Sequence, residues 1–192
     1  MTKRTRKARS RLRRPSGRML ATSTLVCAVM LSSTACSEGG RDYAAPGDLC
    51  GVTVDSQLVS PLLPDGKKLT QRSSDAGAAS PRCRVSVDDN LVLYISSDLV
   101  SPGTDPLKVQ DRGLQRLGNP SPADVGDAAR VADRGAMAVA DCIRRGGKER
   151  IATLIQLEKE YPQDASQRRK DLTQLLRAYL PKAMANLDCS KT

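Results

Sequence analysis

The chain has 192 residues and a formal net charge of +10, and it contains no histidine, tryptophan or phenylalanine. Nine of its 31 basic residues lie between Lys3 and Arg18, whereas all 21 acidic residues follow Cys36, so the chain from Cys36 onward is nearly neutral. A nearly neutral domain lacks the basic surface that nucleic-acid binding requires. The absence of histidine also excludes a serine–histidine or cysteine–histidine nucleophile. We therefore expect no nucleic-acid partner and no catalysis of these kinds.

An uncharged stretch, Met19–Cys36, follows the basic residues and has the length and apolar character of a secretory signal. Its end, Ser33-Thr34-Ala35-Cys36, resembles the lipobox of bacterial lipoproteins, in which the cysteine becomes the lipidated first residue of the mature chain. The resemblance implies a signal peptide over residues 1–35 and a lipid anchor on Cys36, at the outer face of the cell membrane. An uncleaved anchor and ordinary secretion are the alternatives, and Arg13-Arg14 leaves a twin-arginine export route open.

The residues after Cys36 have a different character. Ser37–Gly47 is polar and rich in glycine, without periodic apolar positions, which predicts a flexible tether between the lipid and the domain. The lipidated tether is then 36–47. The remaining residues, 48–192, have the length of a single domain.

The first half of the domain contains signals for short elements separated by turns. Asp55 can cap a helix that Pro61 shortens or kinks. Asp88-Asp89-Asn90 separates two stretches of alternating apolar residues and predicts a hairpin turn. The predicted elements are a helix within Val54–Leu63, a loop over Gln71–Pro81, strands Arg84–Val87 and Leu91–Ser96, and a helix over Leu107–Leu117 with Leu107, Leu114 and Leu117 inward.

The second half predicts a three-stranded meander and a long closing helix. Leucines recur at helical spacing along the last stretch, and Asp164 or Ser166 can cap it. Its basic residues Arg168, Arg169, Lys170 and Arg177 are expected on a solvated face, and Pro181 is expected to kink it. The predicted elements are a loop over Asn119–Gly126, strands from Ala128 to Ala132, Ala136–Ile143 and Arg150–Leu157, and a helix over Ser166–Leu187.

Four cysteines remain once Cys27 leaves with the signal and Cys36 takes lipid: Cys50, Cys83, Cys142 and Cys189. An even number in an exported domain predicts two disulfides, and three pairings are possible. We favour Cys50–Cys83 with Cys142–Cys189, because each bond then joins neighbouring elements of one half of the chain. In the chain-entropy model each such loop contributes about 4 kcal/mol, which would support a core poor in aromatic residues. A metal site is not expected, since the chain has no histidine and no closely spaced cysteine pair.

Four stretches, in order, carry a family resemblance. They are Leu49-Cys50 to Leu63, Cys83 to Ser96, Val125-Gly126-Asp127-Ala128-Ala129, and the amphipathic helix before Cys189. This order resembles small lipoproteins of actinobacteria, whose domains are similar to the extracellular sensor domain of certain actinobacterial serine/threonine kinases. The resemblance implies an α+β fold, with helices against an antiparallel sheet, two intramolecular disulfides and a polar groove for a ligand. It transfers no individual ligand-binding residue, and any signalling would need a separate partner.

No stretch of the chain matches a catalytic motif. Asp88 and Asp89 are adjacent carboxylates, but in a turn both usually face water. Gly146-Gly147-Lys148 lacks the flanking pattern of a phosphate-binding loop and predicts a hairpin turn. We therefore predict no catalytic residues, no cofactor and no metal.

Together these patterns predict an α+β domain in which an antiparallel sheet, a hairpin plus a three-stranded meander, packs against a short N-terminal and a long C-terminal helix. The predicted function is a non-catalytic envelope lipoprotein, lipid-anchored outside the membrane, that binds a small ligand or an envelope protein. The surfaces expected to serve are the exposed sheet face or the groove beside the Ser166–Leu187 helix. A structural or assembly lipoprotein is the alternative, and a hydrolase with an unfamiliar site is a further one.

Overall fold

The computed structural model describes residues 40–77, 79–144 and 146–190 of the chain. The predicted signal peptide, Cys36 and residues 37–39 of the predicted tether lie outside this part. The described residues belong to one compact unit. Within the described residues, no helix combines the length and the apolar character needed to span a bilayer.

Strands make up most of the domain, and all pairings between them are antiparallel. A small two-stranded sheet, β1–β2, precedes a seven-stranded sheet of order β3-β4-β5-β9-β8-β7-β6. The strands are β1 Asp48–Leu49, β2 Val52–Thr53, β3 Leu69–Asp75, β4 Pro81–Val87, β5 Asn90–Val100, β6 Ser121–Ala123, β7 Ala128–Ala132, β8 Gly135–Arg144 and β9 Gly147–Leu157.

Helices cover both faces of the larger sheet. They are α1 Ser56–Val59, which continues into a 3-10 turn over Ser60–Leu62, α2 Pro106–Val109, α3 Asp111–Arg116 and α4 Ala165–Asn186. The fold is therefore α+β, with the predicted hairpin as β4–β5 and the predicted meander as β7–β8–β9. The two parts form one sheet because β5 pairs with β9 from Leu93↔Leu157 to Val100↔Arg150.

Two strands lie where loops were predicted, and those predictions are wrong. β3, Leu69–Asp75, takes up the first five residues of the loop predicted over Gln71–Pro81, and β6 occupies Ser121–Ala123 of the loop predicted over Asn119–Gly126. Both are edge strands with polar or small residues, so neither carries the alternating apolar pattern that marks a half-buried strand. Their backbones pair with β4 and β7, and Pro122 is tolerated because β6 has a neighbour on one side only.

The core lies between the larger sheet and α4. Buried side chains of β4, β5 and β9, among them Val85, Leu93 and Ile155, alternate along their strands and face the helix. From α4 come Leu172, Leu175, Leu176, Tyr179, Leu180, Ala183 and Met184. The helix begins after Asp164, whose carboxylate accepts a hydrogen bond from the Gln167 N–H at 2.6 Å, and it continues through Pro181. The closing helix and its cap at Asp164 are thus confirmed.

Helices α2 and α3 cover part of the opposite face of the sheet. They lie where the sequence predicted a single helix, and that prediction is wrong. The helix predicted over Leu107–Leu117 is divided at Gln110 into two short helices. Asp105 caps the first piece through the N–H groups of Leu107 and Lys108, and a new helix starts at Asp111. The inward leucines were predicted correctly, since Leu114 and Leu117 are buried and Leu107 packs beside them. They cover a second apolar cluster that includes Met137, Val139 and Ala152.

Two arginines that were expected on a solvated face instead fasten the start of α4 to the sheet. Arg168 is 1% exposed and donates hydrogen bonds to the carbonyl oxygens of Asp133, Pro162 and Gln163. Arg169 donates to the Asn119 and Val131 carbonyls at 2.7 and 3.0 Å, to Ser121 Oγ at 2.6 Å and to Asp133 Oδ1 at 2.9 Å. The start of α4 therefore lies beside the turn from β7 to β8, and its two arginines donate to carbonyl groups there. Lys170 and Arg177 are exposed, as predicted.

Disulfides join the predicted pairs of cysteines. Cys50, in the turn between β1 and β2, is bonded to Cys83 of β4. Cys142 of β8 is bonded to Cys189, just after α4. Ile143 and Ser190 exchange two backbone hydrogen bonds of 3.0 Å beside the second bond, so the chain after α4 pairs with β8.

The described part of the predicted tether lies against the domain. The Arg41 guanidinium donates to Ser60 Oγ at 2.7 Å and to the Leu63 carbonyl, and the Tyr43 hydroxyl donates to the Pro64 carbonyl. Asp42 N–H donates to the Gly66 carbonyl at 2.9 Å. These contacts correct the prediction of a flexible segment up to Gly47, because Arg41–Tyr43 find acceptors where the α1 turn ends.

Replacing Arg169 by alanine tests how the start of α4 is held. Arg169→Ala removes the donors to two carbonyls, one hydroxyl and one carboxylate, and we expect unfolding by urea to show a loss of about 1–3 kcal/mol. Arg177→Ala is the matched control on the same helix, since the Arg177 side chain is 57% exposed, and its effect should stay within about 0.5 kcal/mol. Equal effects of the two substitutions would contradict the fastening role of Arg169.

Candidate functional site

A cleft of about 440 Å³ opens where the last turns of α4 meet one end of the sheet. Its walls come from the Cys50–Cys83 disulfide, the end of β3, the start of β4, the end of β8 and the helix residues Tyr179, Ala183, Asn186 and Leu187. A volume of this size suits a compact small molecule. The cleft corresponds to the predicted groove beside the C-terminal helix.

The register of the sheet decides which side chains face the cleft. Ser73 pairs with Cys83, and Cys83 pairs with Ile95, so these residues share the face that packs on α4. Ser97, two residues further along β5, lies on the same face and forms a hydrogen bond of 2.9 Å with Thr153. Ser97 and Thr153 are 1% and 0% exposed, so the polar floor of the cleft satisfies itself.

Arg144, the last residue of β8, lines the cleft with a guanidinium that its surroundings leave incompletely bonded. Its Nε atom is buried and has no hydrogen-bond partner among the described residues. Arg82 also lines the cleft, but both of its terminal nitrogens already have partners. It donates to Asp98 Oδ1 at 2.7 Å and to the carbonyls of Ser80, Pro81 and Ser97. Arg144 is therefore the cation that the cleft offers to a ligand.

Tyr179 presents a second polar group at the helix wall of the cleft. The residue is 5% exposed, and its side chain lines the cleft. Burial, and then the negative charge of Asp48, raise the pKa of Tyr179 to about 12. The phenol therefore stays protonated at neutral pH and can donate a hydrogen bond.

Two carboxylates lie at the rim. Asp75, at the end of β3, and Asp188, which follows α4 with a φ of 55°, both line the cleft and are exposed to solvent. Water screens exposed charges strongly, so these groups act on a ligand less than a buried cation does.

Other surfaces offer less. A second cleft of about 380 Å³ runs beside α4, but its polar groups are already bonded: Asp127 accepts from the Asp141 N–H at 2.6 Å, and Arg177 donates to the Asp124 carbonyl at 2.7 Å. On the uncovered part of the opposite sheet face, Arg72 lies directly across from Arg84. Like charges in that position destabilise a sheet, although both side chains are exposed.

The remaining residues singled out from the sequence have structural positions. Asp88 and Asp89 form the predicted turn with φ values of 49° and 63°, and the Asp88 carboxylate accepts from the N–H groups of Lys67 and Lys68. Gly146 and Gly147 lie at the β8–β9 turn. Among the described residues, no group of histidine, cysteine, aspartate or glutamate side chains has a metal-binding arrangement. Cys36 lies outside those residues.

Sequence reasoning missed Arg144 and Tyr179 as site residues. Arg144 lies one residue beyond the predicted strand Ala136–Ile143, and Tyr179 lies within the predicted helix Ser166–Leu187. Nothing in their local sequence marks them as site residues. They line the same cleft only because of the register of β8 and the packing of α4. The chain has four tyrosines and no other aromatic residue. A buried tyrosine is therefore unusual in this chain, and this was the one signal that could have marked Tyr179.

Comparisons with protein-family models, with curated proteins and with solved structures find no significant match to this chain.

The raised pKa of Tyr179 predicts a specific loss of stability in alkali. Because the folded-state pKa lies above the usual value of about 10, the contribution is complete below pH 10 and is lost as the pH rises toward 12. Between pH 9 and pH 11, the wild-type protein should lose about 1 kcal/mol more unfolding free energy than Tyr179→Phe. Tyr94→Phe, which removes a phenol from the opposite sheet face, is the control. An unchanged alkaline loss in Tyr179→Phe would show that the hydroxyl is not desolvated.

Proposed function

We propose that this chain is an extracytoplasmic lipoprotein that binds a small ligand in the α4 cleft without transforming it. The observation that carries the proposal is the Arg144 side chain, which lines the cleft together with Tyr179 and whose buried Nε has no partner among the described residues. A buried polar group without a hydrogen bond costs about 1–3 kcal/mol. A ligand that supplies the missing acceptors removes this cost.

The chemistry of these groups supports binding rather than catalysis. A guanidinium remains charged at any physiological pH. The phenol of Tyr179, with its pKa of about 12, remains neutral. A general acid or base works best with a pKa near the operating pH, and neither group has one. A hydrolase with an unfamiliar site is therefore the less favoured reading.

The location in the cell envelope is supported by the sequence and by the disulfides. Ser33-Thr34-Ala35-Cys36 has the character of a lipobox after an uncharged signal stretch. Two disulfides are typical of an oxidising compartment outside the cytoplasm. The resemblance to kinase sensor domains also favours ligand binding, with a separate partner protein for any signalling.

A second candidate function is docking of an envelope protein on the uncovered sheet face. The adjacent Arg72 and Arg84 favour it, since an acidic partner would relieve the repulsion between them. A structural or assembly lipoprotein would use the domain in this way.

Mass spectrometry of the protein extracted from its own membranes in mild detergent tests the first proposal. Wild type should carry a bound small molecule. Ser73→Trp should lose it, because the Ser73 side chain lines the cleft and a large ring there fills the space. Ser74→Trp is the matched control, since this neighbouring, exposed strand position faces the other side of the sheet.

Three results would count against the proposal. A wild-type protein without any bound molecule, or a Ser73→Trp variant that retains it, contradicts binding in the cleft. The same spectrum tests the lipid anchor, because the mature chain should begin at Cys36 and carry the mass of its acyl groups. A chain that retains earlier residues or lacks that mass contradicts lipidation.

A further inference from the structure

The charged group without a partner inside the cleft is positive, whereas the charged groups at its rim are negative. Arg144 carries the buried and unpartnered nitrogen, whereas Arg82 is already paired with Asp98 at 2.7 Å. The carboxylates of Asp75 and Asp188 are exposed at the mouth. An electrostatic interaction is stronger in a buried, less polar environment than in water, so the interior favours a negative group.

We propose that the ligand of the cleft carries a compact oxyanion, a carboxylate or a phosphate, which the Arg144 guanidinium binds and the Tyr179 hydroxyl supports with a hydrogen bond. This inference rests on the proposed ligand-binding function and names the chemical class of the ligand. A guanidinium presents parallel N–H groups that match two oxygen atoms of a carboxylate or phosphate. Both chemistries satisfy the same two donors.

The rest of the cleft wall suits an apolar body attached to this anion. Val52, Ala183 and the buried Cys83 sulfur are apolar surfaces, and Leu187 packs beside them at the end of α4. Ligand sites typically combine such walls with a few polar groups that fix orientation. The ligand class is therefore a short amphiphile with an anionic head group.

The lack of a partner for Arg144 Nε separates a binding role from a structural one. If Arg144 served the fold, its replacement would remove stabilising contacts and lower the unfolding midpoint. Because its buried Nε has no partner among the described residues, replacing it removes an unsatisfied donor, and the midpoint of the ligand-free domain should stay constant or rise. Loss of affinity without loss of stability is thus the signature of a ligand-binding arginine.

Calorimetric titration of the disulfide-bonded unit 37–192, which contains the described core and both disulfides, tests the inference with three eight-carbon probes. Octanoate and octyl phosphate carry the two kinds of oxyanion, and octanol is the neutral reference. At least one anion should bind about tenfold or more tightly than octanol, as expected for a charge-assisted hydrogen bond in a buried site. A preference between the two anions identifies carboxylate or phosphate as the natural head group.

Substitutions then assign the effect to the named residues. Arg144→Gln should weaken binding of the preferred anion by about tenfold to a hundredfold and leave octanol unaffected. Arg144→Lys should restore part of the affinity, because it keeps the charge and loses the fork of donors. Tyr179→Phe should cost a smaller factor. Arg84→Gln, on the opposite sheet face, is the control and should bind as wild type does.

The possible contrary results are distinguishable. Equal affinity for octanol and the anions, or unchanged anion binding by Arg144→Gln, overturns the oxyanion inference and leaves ligand binding intact. If none of the probes binds, the inference is also overturned, and the bound molecule found by mass spectrometry decides separately whether the cleft binds a ligand. A lowered midpoint in Arg144→Gln would assign Arg144 to the fold instead.

Discussion

The attachment of α4 at both ends is the constraint on which the rest of this domain depends. At its start, Arg168 and Arg169 reach across to carbonyl groups around the β7–β8 turn. At its end, the Cys142–Cys189 disulfide and the pairing of Ile143 with Ser190 hold the chain against β8. Between these points the leucines of α4 cover the sheet. Because both of its ends are held against the sheet, α4 can contribute to the core and also form one wall of the cleft.

The composition explains why such attachments are needed. With no phenylalanine or tryptophan and only four tyrosines, the core consists mostly of leucine, valine, isoleucine and alanine, which bury less area per residue than aromatic side chains. The hydrogen bonds of Arg168 and Arg169 and the two disulfides add stabilising interactions at the edges of this core. The cleft lies beside the Cys50–Cys83 disulfide and the last turns of α4, where Tyr179 belongs to the core and also lines the cleft.

Sequence reasoning recovered the elements whose pattern is local. The hairpin about Asp88-Asp89, the meander after Ala128 and the closing helix were predicted, because apolar periodicity and turn residues determine them. The cysteine pairing was chosen from three possibilities because each bond joins neighbouring elements of one half of the chain. The edge strands β3 and β6 were missed, since their pairing depends on a neighbour and not on their own side chains. Arg168 was misplaced because its burial depends on distant carbonyl groups. The site could not be predicted for the same reason, because Arg144 and Tyr179 come to line one cleft only through long-range packing.

Hydrogen exchange along α4 in a Cys142→Ser, Cys189→Ser double variant tests most directly whether the helix is held independently at its two ends. The account predicts that protection falls in the last turns, from Tyr179 to Asn186, while the turns after Arg169 keep wild-type protection and the cleft loses its ligand. Uniform loss of protection along the whole helix would contradict two independent attachments. Unchanged protection at the C-terminal end, with ligand binding retained, would show that the second disulfide does not form the cleft.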